Sequence, residues 1–187
     1  MDARADKAQQ VLYTDTRQHA GKHEVKNEWW ASHGVPTIQT ALPFGDYARD
    51  GSNICVDTKR DVDEIAKNVT RQHERFIREC KRARDAGWRL VILIEDGRYA
   101  DDRGKLAGWT NSHCVKCPRK YKAYCNPKAP GKCARHGTRK PVQGPQLLSA
   151  LCTIERRYGV FFKFCKPAET AKVICELLGL GVSENGE

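Results

Sequence analysis

The feature that most constrains the fold is a continuous aliphatic run at residues 89–95, with the sequence RLVILIE. A strand that alternates apolar and polar residues can leave one face in water, but a strand that is apolar throughout must be covered on both faces. Helices on both sides of a sheet provide that cover, and 187 residues suffice for about one such domain. The sequence therefore predicts an α/β fold with this run as a central strand.

Segments with the length and periodicity of strands and helices flank this run. Further strands are predicted at 11–15, 53–59 and 160–164, with extended segments at 35–42 and 44–49. Helices are predicted at 23–33, from Asp61 to Gly87, from Gly144 to Tyr158 and at 167–178. Asp61 is the expected N-cap of the second helix. Together these elements indicate a mixed central sheet flanked by helices.

The distribution of charge indicates a polyanionic partner. The chain has 33 Lys and Arg against 23 Asp and Glu, and residues 113–140 contain nine basic residues and no acidic one. So much local positive charge favours nucleic acid. No apolar run reaches the ~18–20 residues of a membrane span, and the first ten residues lack the apolar core of a secretion signal. We therefore expect a soluble cytoplasmic protein that is neither secreted nor membrane-bound.

The nine cysteines divide into two groups. An odd number of cysteines without an export signal indicates reduced thiols rather than a disulfide framework. Five are scattered among apolar neighbours, as small buried residues often are. The other four fall within twenty residues, in the basic part of the chain: Cys114, Cys117, Cys125 and Cys133.

Four clustered thiolates are the ligand number of a structural zinc site, and the first pair has the spacing of a zinc knuckle. His113 and His136 are spare candidate ligands. The alternative is a solvated basic loop with incidental thiols. Because residues 110–142 show no periodicity of sheet or long helix, we interpret them as a Cys-rich segment inserted into a core formed by 10–109 and 143–180.

Four aspartates stand at strand ends or helix starts in the first third of the chain: Asp15, Asp46, Asp57 and Asp63. Residues two apart on a strand face the same side, so Asp57 and Lys59 are expected to project together, and Asp63 can reach back towards them. Carboxylates bind hard cations such as Mg²⁺ or Mn²⁺, and such a cation beside an ammonium group suits phosphodiester hydrolysis. The alternative is a surface strand with solvated charges, because D-x-K alone is a common pattern.

The order of these motifs resembles the nuclease domain of XPF-type structure-specific endonucleases. The chain has GDY at 45–47 and VDTK at 56–59 followed by Asp63, where that family has GDY and then V-E-R-K-x-x-x-D. The resemblance extends to D-x-R at 15–17 and to the strand ending LIE at 93–95. It implies a restriction-endonuclease-like α/β fold and metal-dependent cleavage of branched or flap DNA.

Three departures from the family pattern bear on the same function. Asp57 replaces the family's glutamate, and Thr58 replaces its arginine. Gln18 stands where the family has a second acid, so Glu24 or Glu28 is the substitute ligand to consider. The tandem helix-hairpin-helix module with which the family usually grips DNA is not found. We therefore expect another part of the chain to bind the substrate.

The first hypothesis is a DNA endonuclease that depends on Mg²⁺ or Mn²⁺. Asp15, Asp46 and Asp57 are its expected metal ligands, Lys59 stabilises the transition state, and Asp63 completes the catalytic set. The expected zinc ligands are Cys114, Cys117, Cys125 and Cys133. The expected DNA-binding residues are Arg17, Lys116, Arg119, Lys120, Lys122, Lys128, Lys132 and Arg135, with Tyr121 and Tyr124 stacking on exposed bases.

Two other hypotheses stay open from sequence alone. One is a catalytically inactive DNA-binding module that works through its zinc segment. The other is a structural RNA-binding protein, which leaves the acidic cluster without a purpose. The apolar stripes at 147–154 and 173–178 also predict a homodimer, with packing on the sheet as the alternative. A small nuclease of this kind fits a phage or mobile element and a role in DNA repair or recombination.

Overall fold

The computed structural model describes residues 10–17, 24–122, 125–129, 131–133, 135 and 139–182. These residues contain a six-stranded mixed sheet with helices on both faces, which confirms the predicted α/β class. The strands are β1 (Leu12–Asp15), β2 (Thr37–Thr40), β3 (Tyr47–Arg49), β4 (Ile54–Lys59), β5 (Arg89–Ile94) and β6 (Phe161–Phe164). The helices are α1 (Glu24–Ser32), α2 (Val62–Asn68), α3 (His73–Asp85), α4 (Ser112–Val115), α5 (Gly144–Tyr158) and α6 (Thr170–Leu178). Gln18, Tyr124 and His136 lie outside the described residues.

The sheet has the strand order β2-β1-β3-β4-β5-β6. Strand β1 pairs in parallel with β2, β3 runs antiparallel to both β1 and β4, and β4, β5 and β6 are mutually parallel. The aliphatic strand β5 lies between β4 and the edge strand β6 rather than at the centre of the sheet, and every side chain from Leu90 to Ile94 is buried. The C-terminal ends of β4, β5 and β6 meet at one edge of the sheet, where ligand sites of open α/β sheets commonly form.

Each face of the sheet has its own apolar core. On β4, the side chains of Cys55 and Val56 alternate between the two faces, and both are fully buried. Helices α2, α3 and α5 cover the face that Cys55 joins, which we call the α3 face. Helices α1 and α6 cover the other, the α6 face. Within the described residues, no helix is both long and apolar enough to cross a bilayer.

The single helix predicted from Asp61 to Gly87 is wrong in its middle, because α2 ends at Asn68 and α3 begins at His73. The hydroxyl of Thr70 donates to the carbonyl of Ala66 at 2.6 Å, a local bond that competes with continued helix. The predicted N-cap is confirmed, since the Asp61 carboxylate accepts from the backbone N–H of Glu64 at 2.8 Å. The chain therefore turns at residues 69–72, and this turn separates α2 from α3.

The apolar stripes of α5 and α6 are used inside the chain. Leu147 and Leu151 of α5 are fully buried on the α3 face. Ile174 and Leu178 of α6 are buried on the α6 face. Neither stripe is left as the free apolar face from which the homodimer was predicted, so dimerisation stays a prediction that requires another surface.

The two ends of the Cys-rich segment meet at one point of the core. The backbone N–H of Gly144 donates to the carbonyl of Trp109 at 2.9 Å, and that of Asn111 donates to the Gln143 side chain at 3.4 Å. A Cβ on Gly144 would lie 2.1 Å from the carbonyl oxygen of Leu106, so only glycine fits this close approach. The segment therefore leaves the core and returns to it without interrupting a strand of the sheet.

Candidate active site

The centre of the site is an ion pair on β4. Asp57 and Lys59 face the same side of the strand, as their spacing predicts, and Lys59 Nζ lies 2.5 Å from Asp57 Oδ2. The two side chains are only 9% and 13% exposed. A buried charged pair costs desolvation that a surface pair avoids, so its presence at a strand end favours a functional role over a solvated surface.

A tight turn places Asp46 beside this pair. Gly45 has a φ of +66°, and a Cβ there would lie 2.8 Å from the carbonyl oxygen of Val56. The same carbonyl accepts from the backbone N–H of Asp46 at 2.7 Å. Oδ2 of Asp46 then accepts from the backbone N–H and the hydroxyl of Thr58 at 2.8 and 2.6 Å. The GDY motif thus places a second carboxylate, that of Asp46, against β4, and hydrogen bonds from Thr58 hold this carboxylate in place.

Burial dominates the electrostatics of the pair. It raises the pKa of Asp57 to about 7, with Lys59 opposing the rise and Asp46 adding to it. For Lys59, burial works against the charged form, but the charge and hydrogen bond of Asp57 outweigh it and raise the Lys59 pKa. A metal ion that binds Asp57 near neutral pH would therefore compete with a proton for the carboxylate.

Asp15 is held by a neighbouring cation. It ends β1 with 2% exposure, and its carboxylate forms an ion pair with Arg17 and accepts from the backbone N–H of Leu42 at 3.2 Å. Arg17 also donates to the Leu42 carbonyl at 2.8 Å. The hydrogen bond from the Arg17 side chain is the main reason why the pKa of Asp15 is lowered. Because the backbone N–H of Asp15 donates to the Asp46 carbonyl at 2.9 Å, Asp15 and Arg17 anchor the loop that carries Asp46.

Asp63 is directed at the Cys-rich segment. Its Oδ1 accepts from the backbone N–H of Ser112, the first residue of α4, at 3.2 Å. The structure brings together Asp46, Asp57 and Lys59 of the predicted catalytic set. Asp63 instead contacts Ser112, near the start of the Cys-rich segment.

Glu79 is a carboxylate at the site that sequence analysis missed. It lies on α3 beside the core residues Phe76, Cys80 and Ala83, and it is itself half-buried. Its charge adds to the rise in the pKa of Asp57 that burial dominates. The signal in the sequence was an acidic residue within an apolar helical stripe. By contrast, the two acids considered as substitutes for Gln18, Glu24 and Glu28, are exposed on α1.

The four clustered cysteines line one groove between the Cys-rich segment and the core. Cys114, on α4, is the most buried of them, and the Gln143 side-chain amide donates to its Sγ at 3.4 Å. Burial is the main cause of the raised pKa of the Cys114 thiol, and the three neighbouring thiols add to it. His113 lines the same groove. The three other thiols predicted to bind zinc therefore lie within electrostatic reach of Cys114.

The predicted DNA-binding residues of the Cys-rich segment fall into two sets. Lys116, Lys120 and Arg135 line this groove. The others are exposed on the outside of the segment: Arg119, Lys122, Lys128 and Lys132. The segment is thus basic on both its inner and its outer surface.

The described residues supply donor atoms of the types that suit the two metals predicted from the sequence. Among the described residues, no three His, Cys, Asp or Glu side chains stand in an arrangement that binds a metal. Mg²⁺, however, is often held by one or two carboxylates with waters and substrate phosphates, and Asp46 with Asp57 matches that donor set. Asp57 Oδ2 is buried and has no hydrogen bond of normal geometry. Its polar contact is the ion pair with Lys59 Nζ. Four thiols are likewise the donor type that zinc prefers.

Comparison with known proteins identifies the family. The ERCC4 domain family model matches residues 14–177. Two solved structures of XPF from Aeropyrum pernix, one of them a complex with DNA, are similar in fold, with a TM-score of 0.55 in both and identities of 21% and 20%. Each match covers 91% of this chain and 64% of the solved one, so the chain spans just under two thirds of the XPF length. No curated protein shows a significant match to the sequence. With most of its length matched by the family model, the chain belongs to the ERCC4 domain family.

Proposed function

We propose that this chain is a divalent-metal-dependent DNA endonuclease that hydrolyses phosphodiester bonds in branched or flap DNA. The observation that carries the proposal is the buried Asp57–Lys59 pair with Asp46 fixed beside it on β4. Membership of the ERCC4 domain family supports a structure-specific nuclease, and the similarity to an XPF solved with DNA supports a DNA partner. The proposal assigns each of these residues a separate role.

Asp46 and Asp57 would hold Mg²⁺ or Mn²⁺. Asp15, predicted as a third ligand, is paired with Arg17, and the proposal gives it the role of anchoring the loop that carries Asp46. Such an ion supplies Lewis acidity and a lowered pKa for a bound water when it is present. Lys59 presents a positive charge where charge accumulates on the phosphate in the transition state. Its ion pair with Asp57 would position Lys59 for this contact before the substrate binds.

Four cysteines of the Cys-rich segment, Cys114, Cys117, Cys125 and Cys133, would hold a structural zinc ion. The segment is too polar to bury enough apolar surface for a core of its own, and metal binding supplies the missing folding free energy. The basic side chains on its surface would then be presented to DNA as an ordered set. The segment is thus the proposed DNA-binding surface of this chain.

The proposed substrate is tested with a panel of labelled DNAs of the same length and base composition: flap, fork, duplex and single strand. With Mg²⁺, we expect cleavage of the flap or the fork near the junction and little cleavage of the duplex. Equal cleavage of all four DNAs would contradict structure specificity while leaving the hydrolytic site in place.

Metal affinity is expected to rise with pH. The ion binds the carboxylate form of Asp57, whose pKa is raised to about 7, so below that pH a proton must be displaced. Affinity for Mn²⁺ should therefore weaken by about tenfold for each pH unit below the pKa and level off above it. Isothermal titration calorimetry between about pH 6 and pH 8 measures this, with Asp57→Asn as the control that binds weakly. An affinity that does not change over this range would contradict Asp57 as a ligand.

Asp63→Asn is expected to lower cleavage by less than about tenfold, because the Asn side-chain oxygen can still accept from the Ser112 N–H. Asp63→Ala removes that acceptor, so the Cys-rich segment should become more accessible to proteolysis and DNA binding should weaken more than the cleavage rate. Single-turnover cleavage at saturating DNA, with limited proteolysis, separates the two effects. A loss of about 10²-fold or more in Asp63→Asn, with binding intact, would return Asp63 to the catalytic set.

A further inference from the structure

A basic groove lies between the Cys-rich segment and the core helices, and the proposed hydrolysis leaves most of it without a role. Its volume is about 1400 Å³. The core wall carries Arg60, Lys67 and Arg71, and the facing wall carries Lys116 and Lys120 of the Cys-rich segment. The core residues lie outside the segment in which the sequence concentrates its positive charge. Cations on two facing walls are the arrangement that binds a chain of phosphates from both sides.

The core wall owes its shape to the turn between α2 and α3. Thr70 and Arg71, in the gap where a single helix was expected, both line the groove. The side chains of Lys67 and Arg71 are exposed, and we find no ion pair for either within the described part of the chain. Their charges are therefore available to a ligand in the groove.

The groove lies next to the end of the catalytic strand, whose own residues do not line it. Arg60 follows Lys59 directly and lines the groove, as does Asp63, whose carboxylate joins the two walls through Ser112. A DNA strand with a phosphate at the Asp57–Lys59 pair would therefore continue into the groove. This continuity distinguishes the groove from the exposed basic residues on the outer surface of the segment.

An exposed aromatic ring stands beside the groove. Tyr121 is 57% exposed, and the Nζ of the groove residue Lys120 lies 5.3 Å from its ring centre. The backbone of Tyr121 has a φ of +57°, a left-handed conformation that bulky residues rarely adopt and that occurs at ligand-binding positions. Stacking needs an accessible base face, which an unpaired strand offers and a duplex does not.

We propose that this groove binds an unpaired DNA strand adjoining the bond to be cleaved, with Lys67 and Arg71 of the core contacting its phosphates and Tyr121 stacking on a base. The inference rests on the proposed function, because the groove leads away from the catalytic strand. It adds the turn between α2 and α3 to the DNA-binding surface, and it gives the Cys-rich segment a second, inner surface that works with the core.

The test measures binding of labelled oligo(dT) and of a hairpin duplex by fluorescence anisotropy across a salt series. All proteins carry Lys59→Ala, so that no chelator is needed to prevent cleavage. Lys67→Ala/Arg71→Ala, the core-wall variant, removes two of the three core-wall cations and leaves Arg60, which is paired with Asp61. Arg75→Ala/Arg78→Ala removes the same charge from exposed residues of α3 outside the groove. Tyr121→Ala removes the ring.

The core-wall variant is expected to lose affinity for oligo(dT) and to reduce the slope of log K against log salt by about 1.4, since each single-strand phosphate contact contributes about 0.7. Tyr121→Ala should weaken oligo(dT) binding by about tenfold with little change in slope. The control variant should match the parent, and duplex binding should change less than single-strand binding.

Affinity and slope equal to those of the parent in the core-wall variant would overturn the inference, as would an equal loss for the duplex. The proposed nuclease activity fails separately. Suppose that protein with Lys59 intact cleaves no DNA while the core-wall variant still loses oligo(dT) binding. This result would support DNA binding in the groove and contradict the proposed hydrolytic function.

Discussion

Asp57→Asn and Lys59→Ala are each expected to reduce DNA cleavage by at least about 10²–10³-fold while DNA affinity stays nearly unchanged. The first removes the charge of a metal ligand, and the second removes a positive charge beside the reacting phosphate. Single-turnover cleavage of a labelled flap, with anisotropy for binding, measures both quantities. Lys172→Ala, on the exposed side of α6, is the matched surface control and should behave as the parent.

Stability needs a separate measurement for these variants, because each leaves a buried charge without its partner. Loss of one partner of a buried pair costs about 3–5 kcal/mol in unfolding free energy. Circular dichroism and thermal melts therefore establish that each variant is folded at the assay temperature. Folded variants that lose binding and cleavage in equal measure would contradict the assigned roles.

Cys114→Ser/Cys117→Ser is expected to remove about one zinc ion per chain and to weaken DNA binding strongly. The sheet should keep its structure, because the segment leaves and re-enters the core at Trp109 and Gly144 without supplying a strand. Without ordered basic residues facing the phosphates, the slope of affinity against salt should become shallower. Metal analysis, circular dichroism and a salt series measure these effects.

Cys152→Ser is the control, since Cys152 is an exposed thiol of α5 outside the Cys-rich segment. It should retain zinc and the DNA affinity of the parent. Parent protein purified without zinc, or a double variant with unchanged affinity and salt slope, would favour the alternative of a solvated basic loop.

The parts of the fold that could be predicted are those that depend on local pattern. The aliphatic run predicts β5 because, among the described elements, only β5 buries five consecutive apolar positions at strand length. The two-residue spacing of Asp57 and Lys59 predicts their shared face because side chains alternate along a strand. Both inferences need only the geometry of one strand.

The parts that could not be predicted depend on contacts between distant segments. Asp63 lies four residues after the catalytic strand, but its partner is Ser112, 49 positions away. Glu79 comes within electrostatic reach of Asp57 only because α3 packs on the face of the sheet that Cys55 joins. The apolar stripes of α5 and α6 have the same sequence pattern whether they pack on the sheet or on a second subunit. Their burial within the chain shows that they pack on the sheet. The Cys-rich segment has no periodicity from which its path can be read.

The most direct test of the account is the metal dependence of flap cleavage by the parent chain. Protein is dialysed to remove loosely bound metal, a step that leaves a tightly held zinc in place, and Mg²⁺ is then titrated in single-turnover reactions. We predict no cleavage without added metal, a rate that saturates with Mg²⁺, and no recovery in Asp57→Asn. Cleavage that persists without divalent metal, or that is equal in parent and Asp57→Asn, would contradict a metal-dependent site on β4.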